Sequence, residues 1–276
     1  MARKAKTENQ SDKWRLVLQL SDKGGICKST GCGMQLGWAL SRGMKAKGID
    51  PDSGNRTFFR QMNEYRGTSG HVTCVNIEDQ QDREEMDHIL TKHYGPYDVV
   101  FVDGMPGQRK QWVEWLEGMD LFDNLELIGL GVTLVVNIDE DYDSVKQAIG
   151  IMEKYRDAPV DWLIAKVHHK VRHTDLWDKK SLGPELAAEL GAHEIVIENI
   201  PAFLAGHLKE RYLTPEKGMD CDEIEWMNRN RLRKFVTTHN ARFDQINAIL
   251  GGDTASGKKA FADWKVPKES ALMDVE

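Results

Sequence analysis

The chain has 276 residues, 29% of them charged and 40% hydrophobic, and no apolar run is long enough to cross a bilayer, which excludes a fibrous or membrane-spanning protein. With 8 Trp and 8 Phe to fill a core, the length suits one large α/β domain rather than two small ones. Lys+Arg 37 against Asp+Glu 44 leaves a net charge of −7, which excludes an all-over basic coat and confines any DNA contact to a local patch.

In chain order, residues 1–13 are polar and are expected to form a flexible N-terminus. Trp14–Leu20 (WRLVLQL) reads as a buried strand feeding the glycine-bearing segment SDKGGICKSTG. Further Val- and Ile-rich runs at Asp98–Asp103, Val132–Ile138, Trp162–Val167 and Glu194–Ile200 have the length of buried strands. Helical spacing of apolar residues marks Asp143–Tyr155, Ser181–Leu190 and Ile224–Leu250. This alternation predicts a doubly wound, mostly parallel sheet in three α/β/α layers over residues 14–250, with 251–276 as a mobile tail. Cys27, Cys32, Cys74 and Cys221 form no CxxC pair, and the polar start lacks the apolar core of a signal peptide, so a reducing cytoplasm is the expected setting.

Lys23-Gly24-Gly25-Ile26-Cys27-Lys28-Ser29-Thr30 follows a strand and opens a helix, the context a phosphate-binding loop requires. Glycines let backbone N–H groups curl around phosphate oxygens, the helix N-terminus adds partial positive charge, Lys28 would reach the phosphates, and Ser29 would ligate Mg²⁺. The strict GxxxxGK[ST] pattern is not met, because Asp22 and Cys27 occupy both glycine positions.

With Lys23 five residues before Lys28, KGGxxK[ST] resembles the deviant Walker A motif of the ParA/MinD family of ATPases. Gly48-Ile49-Asp50-Pro51-Asp52 resembles that family's D-x-D switch I, and Tyr97–Gly107 (YDVVFVDGMPG) resembles its switch II. Glu198-Asn199-Ile200-Pro201 stands where the family has an Ile-Pro turn bordering the base. Within the family, IDPDSGNRTF, NIPAFLAGHLKERYLTP and MNRNRLRKF look most like plasmid-encoded conjugal-transfer and stability proteins of the TraL kind.

The resemblance implies ATP and Mg²⁺ as ligands, with Gly24, Gly25, Ile26, Cys27, Lys28, Ser29, Thr30 and Pro201 in the nucleotide site. It implies that Ser29, Asp50 and Asp103 serve the metal, that Asp52 positions the attacking water, and that Gly107 lets switch II move. Lys23 would reach a partner's phosphates in an ATP-bound homodimer, and a partner protein would stimulate hydrolysis. The implied function is an ATP-dependent dimerising switch in plasmid partition, positioning or conjugal transfer. The alternatives are a non-hydrolysing, nucleotide-gated scaffold in the same process and a metabolic enzyme on the same fold.

Several residues depart from the family pattern. Cys27 puts a Cβ and a thiol where the family carries glycine, at a cost of roughly 1–2 kcal/mol if the backbone there is left-handed. A thiol at a helix N-terminus between two lysines is expected to have a lowered pKa; Cys27 reads either as a tolerated small residue, the favoured alternative, or as a thiol whose oxidation blocks the nucleotide site. Asp22 sets a carboxylate beside the loop, and Ala165 and Lys166 stand where the family commonly carries an adenine-reading asparagine.

Outside these motifs, the late helix sets Leu232, Phe235, Val236, Phe243, Ile246 and Leu250 along an apolar stripe. Arg229, Arg231, Arg233, Lys234 and Arg242 flank it, either as a solvated surface or as a patch for DNA phosphates. The segment VHHKVRH is not expected to hold a metal, since His168 and His169 point to different faces and no cysteine accompanies them. Membrane docking by the tail is disfavoured by Pro267 and the closing Asp274 and Glu276.

Overall fold

The computed structural model describes residues 14–52, 54–63, 71–77, 79–90, 97–104, 106–168, 171–254 and 258. The flexible start expected over 1–13 and nearly all of the expected tail lie outside them. The strands are β1 (Trp14–Gln19), β2 (Ala46–Asp50), β3 (Val72–Cys74), β4 (Val99–Val102), β5 (Leu130–Ile138), β6 (Asp161–Val167) and β7 (His193–Ile197). The helices are α1 (Lys28–Ser41), α2 (Thr57–Asn63), α3 (Gln80–Leu90), α4 (Arg109–Gly118), α5 (Leu121–Ile128), α6 (Tyr142–Lys154), α7 (Asp175–Lys180), α8 (Gly183–Leu190), α9 (Ala202–Glu210), α10 (Pro215–Met219) and α11 (Trp226–Gln245).

The strands form one seven-stranded sheet in the order β3-β2-β4-β1-β5-β6-β7, with every pairing parallel. Parallel strands covered on both faces must be apolar on both, and alternate residues accordingly enter two different cores. Leu16, Leu18, Val100 and Val102 pack under α3–α8 on one side, while Val17, Val99 and Phe101 pack under α1, α2 and α11 on the other. The three-layer α/β/α class expected from the sequence is the class observed.

The strands read from the sequence are all present with small shifts at their ends, the largest at Ile200, where the strand stops at Ile197. The late helix is shorter than its apolar stripe suggested. It stops at Gln245 and a 3₁₀ turn follows over Asn247–Leu250, where the Asn247 amide donates to the Asp244 carbonyl at 2.7 Å and competes with helix continuation. Beyond it, the first residues assigned to the tail are packed: Gly251, Gly252 and Thr254 are buried, and Asp253 pairs with Arg15 at 2.9 Å.

A third, smaller core lies off the sheet. Leu204 and Leu208 of α9, Leu213, Cys221, Ile224 and Leu232 of α11 pack together around α10. Gly218 makes this possible, because a Cβ there would stand 2.5 Å from Leu208 and 2.8 Å from Leu232.

Candidate functional site

The loop between β1 and α1 curls because two of its residues take left-handed backbone: Gly25 at φ 76° and Cys27 at φ 57°. A non-glycine residue in this region costs roughly 1–2 kcal/mol, so Cys27 stands where glycine would be relaxed. Its peptide turns the chain into α1, whose first turn carries no acidic residue. The helix N-terminus therefore presents its N–H groups and dipole with no carboxylate of its own first turn competing. Asn137 at the end of β5 fixes the loop from beside it, its amide donating to the Ile26 carbonyl at 3.1 Å while its backbone N–H donates to the Ser21 hydroxyl at 2.7 Å.

Lys28 is buried, and its ammonium donates to the Lys23 carbonyl. Burial lowers its pKa, against the opposing pull of Asp103 and Asp22. Asp22 thus acts on the lysine of the loop rather than standing as an isolated charge beside it.

Asp50, Asp103 and Ser29 come together below the loop. Asp103 is buried at the end of β4, its N–H bonded to the Ile49 carbonyl of β2 at 3.0 Å. Burial raises its pKa to about 7; a hydrogen bond with Ser29 opposes this, and the charge of Asp50 adds to it. Asp50 is also raised by burial, against N–H donors from Phe59 and Asp52, each at 2.9 Å. Two buried carboxylates that disfavour each other's ionisation, with a hydroxyl beside one and a buried lysine nearby, form a donor set that is short of positive charge and suits a hard divalent cation.

Gly104 brings this segment against the loop. A Cβ at Gly104 would lie 1.7 Å from the Gln19 carbonyl oxygen, so only glycine lets the chain leave β4 here. Gly107, further on, takes φ 82°.

Two sequence-assigned residues are engaged elsewhere. Asp52 Oδ1 accepts the N–H groups of Gly54 at 2.9 Å and Asn55 at 2.8 Å, closing its own turn. The Lys23 ammonium lies 2.7 Å from Asp139 and 3.0 Å from Asp141 of the same chain. Burial disfavours the Lys23 charge, but both carboxylates outweigh it and raise its pKa; the Asp139 carboxylate, held by Lys23 and by the Ser144 hydroxyl, falls below its ordinary value despite burial. Lys23, Gly24, Gly25 and Ile26 face Asp139, Glu140, Asp141 and Tyr142 across a cleft of about 530 Å³. Asn137, Asp139 and Asp141 were missed by sequence reasoning; the signal was the acidic run NIDED at the C-terminal end of a buried strand.

The expected low-pKa thiol at Cys27 is corrected. Burial pushes its pKa up and the charge of Asp139 pushes it further. Pro201 stands exposed at the start of α9, after β7, with β5 and β6 between that strand and β1. Lys166 is held between Asp178 and Glu194, each at 2.6 Å, beside a buried Ala165. Among the described residues no group of three His, Cys, Asp or Glu is arranged to hold a metal by itself, and His169 lies outside them. No described helix is long and apolar enough to cross a membrane.

On α11, Arg229 pairs with Asp222 at 3.1 Å and Arg242 with Glu198 at 2.6 Å. Arg231 and Arg233 donate only to the neutral amides of Asn228 and Asn230 in the hydrogen bonds described, and both are exposed, as is Lys234.

The sequence matches no family model and no curated protein. The fold is similar to the McdA–ATP complex of Cyanothece, with TM-score 0.52 and 12% identity over 94% of this chain and 100% of that one. It is also similar to a chain of the MinC:MinD cell division protein complex of Aquifex aeolicus, with TM-score 0.50 and 15% identity over 92% of this chain and 98% of that one. The seven-stranded parallel sheet with its flanking helices is the fold of MinD- and ParA-type P-loop NTPases.

Proposed function

We propose that this chain binds ATP with Mg²⁺ and acts as an ATP-dependent dimerising switch, a weak ATPase of plasmid partition, positioning or conjugal transfer in the manner of TraL-like proteins. The observation that carries this reading is the loop itself: two left-handed residues, an N-terminal helix turn free of acids, and a buried lysine folded back onto the loop carbonyl of Lys23. Of the two solved structures above, one is named a cell division protein complex and the other, McdA, is an ATP complex.

In this reading the amides of Gly24, Gly25, Ile26, Cys27, Lys28, Ser29 and Thr30 cradle the phosphates and Pro201 borders the base. Mg²⁺ would neutralise phosphate charge, held by Ser29 and Asp103 with Asp50 behind them. Lys28 leaves the Lys23 carbonyl for the phosphates. Lys23 must leave Asp139 and Asp141 before it can reach a partner's phosphates, so dimerisation competes with an internal ion pair. Residues 14–250 act as one domain, in the cytoplasm, with a partner protein stimulating turnover. Non-specific DNA is the macromolecular partner, met by Arg231, Arg233 and Lys234 with Arg229 at their edge.

The test is calorimetry of Mg²⁺–ATP on reduced protein. Binding should weaken by at least about tenfold in Lys28→Ala, since a charge-assisted phosphate contact is worth roughly 1.5–3 kcal/mol; no heat in the unaltered chain overturns the reading. A nucleotide-gated scaffold without hydrolysis is the second reading, favoured by the turn that occupies Asp52. Hydrolysis measured with and without DNA separates the two: turnover lost in Lys28→Ala supports the switch, and binding without turnover supports the scaffold.

A further inference from the structure

The short helix α2 is held at both ends by groups with different allegiances. At its start, Asp50 Oδ2 accepts the Phe59 N–H at 2.9 Å, while Oδ1 accepts the Asp52 N–H at 2.9 Å. Near its end, the Lys217 ammonium of α10 donates to two carbonyls of the last turn, those of Gln61 at 2.7 Å and Met62 at 2.9 Å. Arg60, between them, donates to the Tyr212 hydroxyl at 3.0 Å and lies 5.2 Å from the centre of that ring. Beyond Lys217, Gly218 meets Leu232, which stands between Arg231 and Arg233 on α11.

Backbone strain marks the same course. Of the four non-glycine residues with positive φ among those described, three lie on it: Cys27 in the phosphate loop at 57°, Arg56 just before α2 at 48°, and Tyr212 at 50°. Such residues persist where surrounding contacts over-determine them, and they gather at sites that switch.

We propose that α2 is a strut that relays occupancy of the nucleotide site, through Asp50 at one end and Lys217 and Tyr212 at the other, to α10 and the cationic face of α11. This rests on the nucleotide reading above. Both oxygens of Asp50 already accept N–H groups, so drawing its carboxylate toward bound nucleotide and cation competes with the Phe59 bond and loosens the first turn of α2. The displaced helix pulls on Lys217, α10 shifts against Leu208 and Leu232, and the placement of Arg231 and Arg233 follows. Lys217 and Tyr212 are positioning residues in this scheme, remote from the phosphates.

Amide hydrogen exchange on the full chain, with and without Mg²⁺–ATP, tests it together with a direct titration of nucleotide binding. In the unaltered protein nucleotide should speed exchange in α2, in α10 and in the first half of α11 by roughly three- to tenfold, the range of local opening changes in a retained fold. In Lys217→Met, which keeps the side-chain stem, and separately in Tyr212→Phe, which removes only the hydroxyl, the response should remain at α2 and fade at α10 and α11. Nucleotide affinity in both variants should stay within about twofold, as expected for sites without shared contacts. Nucleotide binding that leaves α10 and α11 unchanged in the unaltered chain overturns the relay while sparing the nucleotide reading; so does a full response in both variants. Absence of binding in the titration overturns both.

Discussion

The ammonium of Lys23 lies 2.7 Å from Asp139, a residue 116 positions away that reaches it because β1 and β5 are neighbours in the sheet. The side chain of Asp139 is 6% exposed and that of Lys23 23%, so the pair is partly screened, and Asp141 adds a more exposed contact at 3.0 Å.

Asp139→Asn should therefore release Lys23 and ease ATP-driven association. A partly exposed ion pair is worth on the order of 1 kcal/mol, which corresponds to a gain of about fivefold in the dimerisation constant. Light scattering over a concentration series with ATP reads it; an unchanged or weakened dimer would show that the pair does not restrain Lys23.

Cys27 makes opposite demands on stability and reactivity. Cys27→Gly removes the left-handed strain but frees the unfolded chain, leaving a net gain of roughly 0.5–1 kcal/mol in unfolding free energy. With its pKa raised by burial and by Asp139, the thiol should also react with iodoacetamide at neutral pH more slowly than a free cysteine. Denaturant melts and timed alkylation check the two halves; rapid alkylation would reinstate the reactive thiol expected from the sequence.

Glu216 on α10 supplies a pH dependence. Its two carboxylate oxygens are buried, and burial raises its pKa from 4.5 to about 7 against weaker opposing hydrogen bonds from its own N–H and the Thr214 hydroxyl. Since the folded value lies above the unfolded one, the neutral form stabilises the fold fully below about pH 4.5, and this contribution is lost as pH rises through 7. Glu216→Gln should match the unaltered protein near pH 4 and exceed it well above pH 7 by about 3 kcal/mol, at 1.36 kcal/mol per pKa unit. Urea midpoints across that range test this; a difference independent of pH would place the charge in water.

Much of this molecule is legible in its residues, and the illegible parts have physical causes. The strands buried on both faces announce themselves as continuous Val and Ile runs, and the phosphate loop as glycines between a strand and a helix. The strands β2 (AKGID) and β3 (VTC) escape because they are short and weakly apolar: Gly48 has no side chain so that Phe58 and Val72 can pack over it, and β3 is an edge strand of three residues. The chemistry at Asp50 and Asp103 is written as motifs, whereas the grip of Asn137, Asp139 and Asp141 on the loop depends on strand order. Strand order is set by packing across the whole sheet and leaves no local signature. The thiol was misjudged because its neighbours in sequence are lysines, while in space it faces burial and an aspartate.

The two glycines after β4 divide their labour. At Gly104 the chain is wedged so tightly under the Gln19 carbonyl that it has no room to translate, while Gly107 sits in a conformation that other residues rarely share. The backbone beside Asp103 is thereby held against β1, while the turn into α4 takes a conformation that a side chain would strain, so a Cβ at Gly104 disturbs the root of the carboxylate and a Cβ at Gly107 only the entry to the helix.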